Sequence, residues 1–265
     1  MNNFSFFLIK YKQYLRILLP FVFTLIFSAL TFAAHAKTST EKLITVVTEY
    51  YPPYSFLNDQ GELKGCSVAL VKELFKISQD DLNVQVMPWA RAYKTAVSNK
   101  NTLIFSIVRN KIREKKFYWI GKIDQEKNIF WGLKSRYKEE KITDEEFYSS
   151  LIVTATDTSN YQILAAKGKN KLYQVTEITQ GINMLLMQRV DLVVETKVGM
   201  KKRFDKEGFD FSLVKPVYEL AELNYDLYIA MNINSDSEIE KRMSDAYQQL
   251  VDNGKFAQIM GQCDN

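Results

Sequence analysis

The chain has 265 residues, with 35 Lys/Arg against 31 Asp/Glu, a net charge of +4, one histidine and two cysteines. Three of the basic residues and no acidic ones fall in the first 36 positions, so the remainder carries 32 against 31, a net +1. A near-neutral body offers no broad field to a polyanion, which excludes nucleic acid as a partner.

Those first 36 residues read as a cleavable leader. Lys10, Lys12 and Arg16 form a positive start, Ile17 to Phe32 is an apolar run, and Ala34-His35-Ala36 supplies the small-x-small pattern of a signal-peptide cleavage site. The remaining chain is expected in a compartment outside the cytoplasm. Removal of the leader takes away His35, the sole imidazole, and with it Ser-His-Asp chemistry, Cys-His chemistry and the common zinc sites. Neither G-x-x-x-x-G-K nor G-x-G-x-x-G occurs, so no nucleotide cofactor is expected, and no metal. In an oxidising compartment Cys66 and Cys263 are either bridged or two free thiols; spacing along the chain does not decide between them.

In chain order, "LITVVT" (43–48) is a β-branched strand, followed by the aromatic, proline-rich loop "EYYPPYSFLNDQGELKG". "SVALVKELFKIS" carries apolar residues at Val68, Val71, Leu74, Phe75 and Ile77 and is an amphipathic helix. "LNVQVM" is a strand, "PWARAYKTAVSN" a helix with Pro88 at its entry, and "NTLIFSIV" a strand. Next come "RNKIREKK" and an aromatic cluster, Phe117, Tyr118 and Trp119, expected to pack the loop back on its lobe. The charged segment "KSRYKEEKITDEEFYSS" reads as a boundary or surface loop. "LIVTAT", "KLYQVT" and "DLVVE" are strands alternating with helices over "YQILAAKG", "QGINMLLMQR" (capped by Thr179, with Met184 and Met187 as core filler) and "TKVGMKKRFDKEG". "YDLYIAMN" is a strand, and the long helix of "SDSEIEKRMSDAYQQLVDNG" is followed by "KFAQIMGQ". Alternating strands and helices in two units predict an α/β protein of two lobes with a cleft between them as the binding site.

Several motifs in order resemble the bacterial extracellular solute-binding proteins of family 3, the polar amino-acid type: "TEYYPPYSF" with "GELKGCSVALVKELF", "PWARAYKTAVSNKNTLIFS", "RNKIREKKFYWIG", "MQRVDLVVE" with Gln188 where a glycine is usual, and "LVDNGKFAQIM". The resemblance implies a type II periplasmic binding fold, each lobe a mixed sheet flanked by helices. It implies a first lobe from 37–126, a second over 127–222, a return segment over 223–265, and hinge strands near 122–128 and 221–227. The implied function is capture of an amino acid or similar small carboxylate by a monomer for an ABC transporter permease, without catalysis. Arg113 matches the arginine that pairs with a ligand carboxylate, a task suited to a planar, permanently charged fork. Tyr51 and Trp89 match aromatic or apolar walls of the cleft, and Ser106 a polar strand-end position. Arg91 faces either cleft or solvent, and Arg109 either adds a positive contact or pairs with Glu114. Asp157 and Thr158, with Ser159, lie at a helix start able to offer free N–H groups. Glu195 stands one residue before the position, Thr196, where the family places an acid for a ligand ammonium. Two other functions share the fold: a sensor module that feeds no transporter, and a dehydratase with Glu195 or Asp157 as its acid.

Overall fold

The computed structural model describes residues 43–263, and the leader expected over 1–36 lies outside them. The first lobe opens with β1 (Thr45–Thr48), a short hairpin of β2 (Phe56–Leu57) and β3 (Leu63–Lys64), and helix α1 (Cys66–Ser78). It continues through β4 (Val84–Val86), α2 (Trp89–Ser98) and β5 (Thr102–Val108). β1 lies between β4 and β5 and is parallel to both. Burial of Val68, Leu70, Val71, Leu74 and Phe75 fixes α1 against this sheet. Its entry needs Gly65: a Cβ there would lie 2.2 Å from the Tyr54 carbonyl oxygen, and its φ of 124° is foreign to other residues.

Two long strands, β6 (Phe117–Leu133) and β10 (Val214–Asn232), then run antiparallel through both lobes. Their central pairs include Gln125 with Asp226, Glu126 with Tyr225 and Lys127 with Asn224. Neither length is apparent from local pattern, because the stretch from Lys122 to Asn128 is mostly polar; the strand is held by pairing with a segment about a hundred residues away. The aromatic cluster after Arg113 starts a strand, β6, where a loop was expected, and it packs on the first lobe as expected. Phe117 is buried, while Trp119 meets Tyr228 of β10 edge to face.

The second lobe holds α3 (Asp144–Ser149), β7 (Ile152–Ala155), α4 (Ser159–Ala166), β8 (Leu172–Val175), α5 (Ile178–Leu186), β9 (Leu192–Thr196) and α6 (Lys197–Glu207). The charged segment expected as loop contains α3, nucleated by a capping box in which Thr143 and Glu146 satisfy each other's backbone amides. Thr158 and Thr196 cap α4 and α6, and Gly208 ends α6 in the left-handed conformation. Thr179 lies inside α5, whose N-cap is Glu177. Met187 is 61 % exposed and not core filler, because α5 ends one residue earlier.

The sheet order is β4-β1-β5-β10-β6-β9-β7-β8, with β6 antiparallel to β9 and β7 parallel to β8 and β9. Separate cores lie at its two ends. One is built around Val46, Leu70, Leu103 and Ile229, the other around Trp131, Val153, Ile182 and Phe204. The C-terminal helices α7 (Ser237–Asp252) and α8 (Lys255–Met260) return to the first core, where Ile239, Met243, Leu250 and Ile259 are buried. A disulfide joins Cys66, at the start of α1, to Cys263 beyond α8, with Cα atoms 5.4 Å apart. Among the described residues no helix is long and apolar enough to cross a membrane.

Candidate functional site

Strand ends and helix starts from both lobes meet over the two long strands and enclose a cavity of about 70 Å³, counted as space open to the centre of a water molecule. At about 10–15 Å³ of such space per water, that is room for a few waters or a compact ligand. Its lining is polar for its size: Glu49, Glu126, Glu177 and Glu195 face Arg113 and Arg203, with Tyr51, Trp89 and Tyr225 among the rings.

Arg113 follows a turn in which the Asn110 side chain accepts its amide at 3.0 Å, and its own side chain is 1 % exposed. The guanidinium carbon lies 4.9 Å from the Trp89 ring centroid and 5.0 Å from that of Tyr93, so two rings hold the charge. Nη1 donates to the Val108 carbonyl (3.2 Å) and Nη2 to the Asp157 carbonyl (3.1 Å), while the buried Nε has no acceptor. Burial lowers the Arg113 pKa to about 10, which leaves the side chain cationic at neutral pH. Trp89 Nε1 donates to the same Asp157 carbonyl at 2.9 Å. Asn110 Nδ2 donates to Ser159 Oγ at 3.2 Å close by. These contacts join the lobes at one edge of the cavity.

The other edge is closed by α6. Arg203 Nη2 donates to the Tyr50 carbonyl at 3.1 Å, and its Nε to Glu195 Oε2 at 2.9 Å. The second Glu195 oxygen accepts the Thr196 amide at 2.8 Å. Gly199 makes room for this pair, since a Cβ there would stand 2.6 Å from Glu195 Oε1. Lys206 and Arg203 both lie against the Tyr50 ring, at 4.1 and 5.1 Å from its centroid.

The floor is built by β6 and β10. Tyr51 Oη donates a short hydrogen bond to Glu126, whose other oxygen accepts from Asn128 Nδ2 at 2.9 Å. Asn160, in α4, links Asn128 (3.4 Å) to the Tyr225 hydroxyl (2.9 Å). Burial raises the Glu126 carboxyl to about 7, against the pull of its Tyr51 and Asn128 hydrogen bonds. Burial raises Glu49 further, to about 8, with Arg203 pulling it down and Glu177, Glu195 and Glu126 pushing it up. No hydrogen bond reaches the Glu49 carboxyl from any described residue. Burial also raises Glu177 and the Tyr51 and Tyr225 hydroxyls.

Of the residues singled out in the sequence, Tyr51, Trp89, Ser106, Arg113, Thr158 and Glu195 line this cavity. Ser106 sits in a bulge of β5 at φ 58° and bonds Ser67 Oγ at 3.0 Å. Three other candidates stand apart. Arg91 is exposed, because two positions on from buried Trp89 is about 200° around the helix. Arg109 points away and pairs with Glu114 (2.6 Å), stacking on Trp119 and Tyr228. Asp157 contributes its carbonyl, not its carboxyl: at φ 60° its side chain is turned outward and exposed. Thr158 accepts from the Tyr161 amide as an ordinary N-cap, and Glu195 has both oxygens engaged within the chain. Sequence reasoning missed Glu49, Glu126, Asn128, Asn160, Glu177, Arg203 and Tyr225. Arg203 carried one usable signal: it shares a helix face with Gly199 and Met200 and not with the solvated Lys201.

Among curated proteins no sequence matches this chain. Solved structures do. A histidine kinase sensor domain with similarity to periplasmic binding proteins superposes with a TM-score of 0.73 at 16% identity, covering 83% of this chain and 95% of that one. An ancestral arginine-binding protein bound to arginine gives 0.71 at 17%, covering 84% and 98%. A putative L-cystine ABC transporter protein from Listeria monocytogenes gives 0.69 at 19%, covering 83% and 95%. At these identities the likeness establishes the two-lobed periplasmic binding fold. The family model that describes bacterial extracellular solute-binding proteins, family 3, matches residues 43–262, and the chain belongs to that family.

Proposed function

We propose that the protein captures an amino acid or similar small carboxylate between its lobes in the periplasm, as a monomer, and delivers it to an ABC transporter permease. The first lobe is taken as 37–126 with 223–265, the second as 127–222. The observation that carries this reading is Arg113: a cation 1 % exposed, lining the cavity, with a buried Nε that has no acceptor. An unmet donor of this kind costs about 1–3 kcal/mol, and a ligand carboxylate oxygen would relieve it. The neighbours' ligands, arginine in one case, are consistent with this class.

A sensor role on the same fold has support of its own, from the likeness to a histidine kinase sensor domain. Both roles rest on the same capture step. The dehydratase reading lacks a free acid among its two named candidates, since the Asp157 side chain is exposed and Glu195 is paired with Arg203.

Thermal unfolding against a panel of amino acids and small carboxylates tests the proposal. At ligand concentrations of about a hundred times Kd the folded state gains about 2.7 kcal/mol. That corresponds to a Tm rise of roughly 5–11 °C for a chain of this size. Conversion of a bound compound to product would replace capture with catalysis.

A further inference from the structure

Resting on the capture reading above, we propose that Glu49 seats a cationic group, an ammonium or guanidinium, so that the cleft selects ligands carrying a positive charge beyond any that their carboxylate balances.

Charge and hydrogen bonding both lead there. Four carboxyls and two guanidiniums line one small cavity. The two guanidiniums are committed within the chain: Arg203 to Glu195 and the Tyr50 carbonyl, Arg113 to the carbonyls of Val108 and Asp157. Glu195 is answered by Arg203 and the Thr196 amide, and Glu126 by Tyr51 and Asn128. Glu49 lines the same space with no donor on its carboxyl. Glu49 is half-buried, and a ligand that brings N–H donors and a positive charge would stabilise its ionised form. Arg113 Nε, a buried donor without an acceptor on a residue that lines the cavity, is an independent place for a ligand oxygen. The Arg113 donor and the Glu49 carboxyl, negative once ionised, together suit a molecule with a carboxylate at one end and a cation at the other.

A metal ion fits less well, since among the described residues no group of carboxyl, imidazole or thiol side chains is arranged to hold one. The charged groups around Glu49 are Glu126 on β6, Glu177 before α5, Glu195 on β9, Arg203 on α6 and Arg113 beyond β5. The three carboxyls and burial keep Glu49 protonated well above the usual carboxylate range, to about 8. A bound cation favours the ionised form and expels that proton to solvent, so affinity should rise with pH across this range.

The experiment is calorimetric titration of the protein, expressed from its full-length sequence, with L-arginine, L-lysine, L-glutamine, L-leucine, L-glutamate and 1,4-diaminobutane between pH 6 and pH 9. The expected result is binding of L-arginine or L-lysine at least tenfold tighter than L-glutamine, L-leucine or L-glutamate, strengthening as pH rises. Glu49→Gln should weaken that binding roughly 30-fold or more and flatten its pH dependence. Equal or tighter binding of a neutral or acidic amino acid overturns the cation seat and leaves capture intact. So does a Glu49→Gln variant that binds L-arginine as the wild type does. Binding of 1,4-diaminobutane with no binding of any amino acid keeps the cation seat and removes the carboxylate reading. If nothing in the panel binds at any of these pH values, both fall. Should Glu49→Gln fail to fold, the wild-type panel still decides.

Discussion

Replacing Glu195 by alanine separates two roles for that residue, a ligand contact and a structural counter-ion. Both Glu195 and Arg203 have side chains only 4 % exposed, and they meet at 2.9 Å. Alanine at 195 strands the Arg203 charge with the Tyr50 carbonyl and the more distant Thr179 hydroxyl, and takes the acceptor from the Thr196 amide. Breaking a buried pair from one side costs about 3–5 kcal/mol, because the remaining ion is left uncompensated. At about 2–4 °C per kcal/mol the ligand-free protein should lose roughly 6–20 °C in Tm. Urea unfolding should show the same loss in midpoint. The double substitution Glu195→Met with Arg203→Met removes both charges and should recover most of that stability. It also removes the Arg203 bond to Tyr50, so ligand affinity should stay impaired when stability returns. A Glu195→Ala protein within about 1 kcal/mol of wild type would refute the reasoning, since it would mean that water already solvates the pair.

Arg113→Ala should weaken any captured carboxylate at least 30-fold or so, read by titration, and Arg113→Lys should not restore it, because one ammonium cannot span the Val108 and Asp157 carbonyls as the fork does. Glu126 titrates near 7 when folded, above the ordinary carboxylate value. The folded protein thus holds a proton that the unfolded chain gives up, and stability falls as pH rises from about 4.5 to about 7. Glu126→Gln mimics the protonated form; its stability relative to wild type should grow across that window by up to about 3 kcal/mol, measured by urea unfolding at pH 4.5 and pH 8. Gln188 sits at φ 58°, a conformation that costs a side-chain-bearing residue about 1–2 kcal/mol. Gln188→Gly should therefore be neutral or stabilising by up to about 1 kcal/mol despite glycine's entropy; a loss of stability would show that the Gln188 side chain earns its place through contacts.

What could be read in the sequence was what short stretches decide. The strand runs of β1 and β5, the helix start at Asp157–Ser159 and the helix stop at Gly208 are local signals, and each appears in the fold. The long strands β6 and β10 were hidden from local pattern because their polar middle is stabilised by partners far along the chain; only the resemblance, with its hinge strands near 122–128 and 221–227, pointed to them. The candidate site divided the same way. Tyr51, Trp89 and Arg113 sit in motifs whose order along the chain gives them meaning. Glu49, Glu126 and Arg203 are charged residues of the kind that ordinarily face water, and the burial of Glu126 and Arg203 and the half-burial of Glu49 arise where distant elements meet. Asp157 shows a further limit: its position at the cavity edge was legible, but what it offers there is a carbonyl to Arg113 and Trp89, not the free amide expected of a helix start.

The bridge between Cys66 and Cys263 also decides what a protease can release from this molecule. Every described element from β4 to α8 lies between the two cysteines, so one cut anywhere along that stretch yields two pieces still tied together. A nick in the exposed segment between β6 and α3 would run as an intact band on a gel without reductant and split when thiol is added. The first-lobe core would then keep both its early and its returning helices.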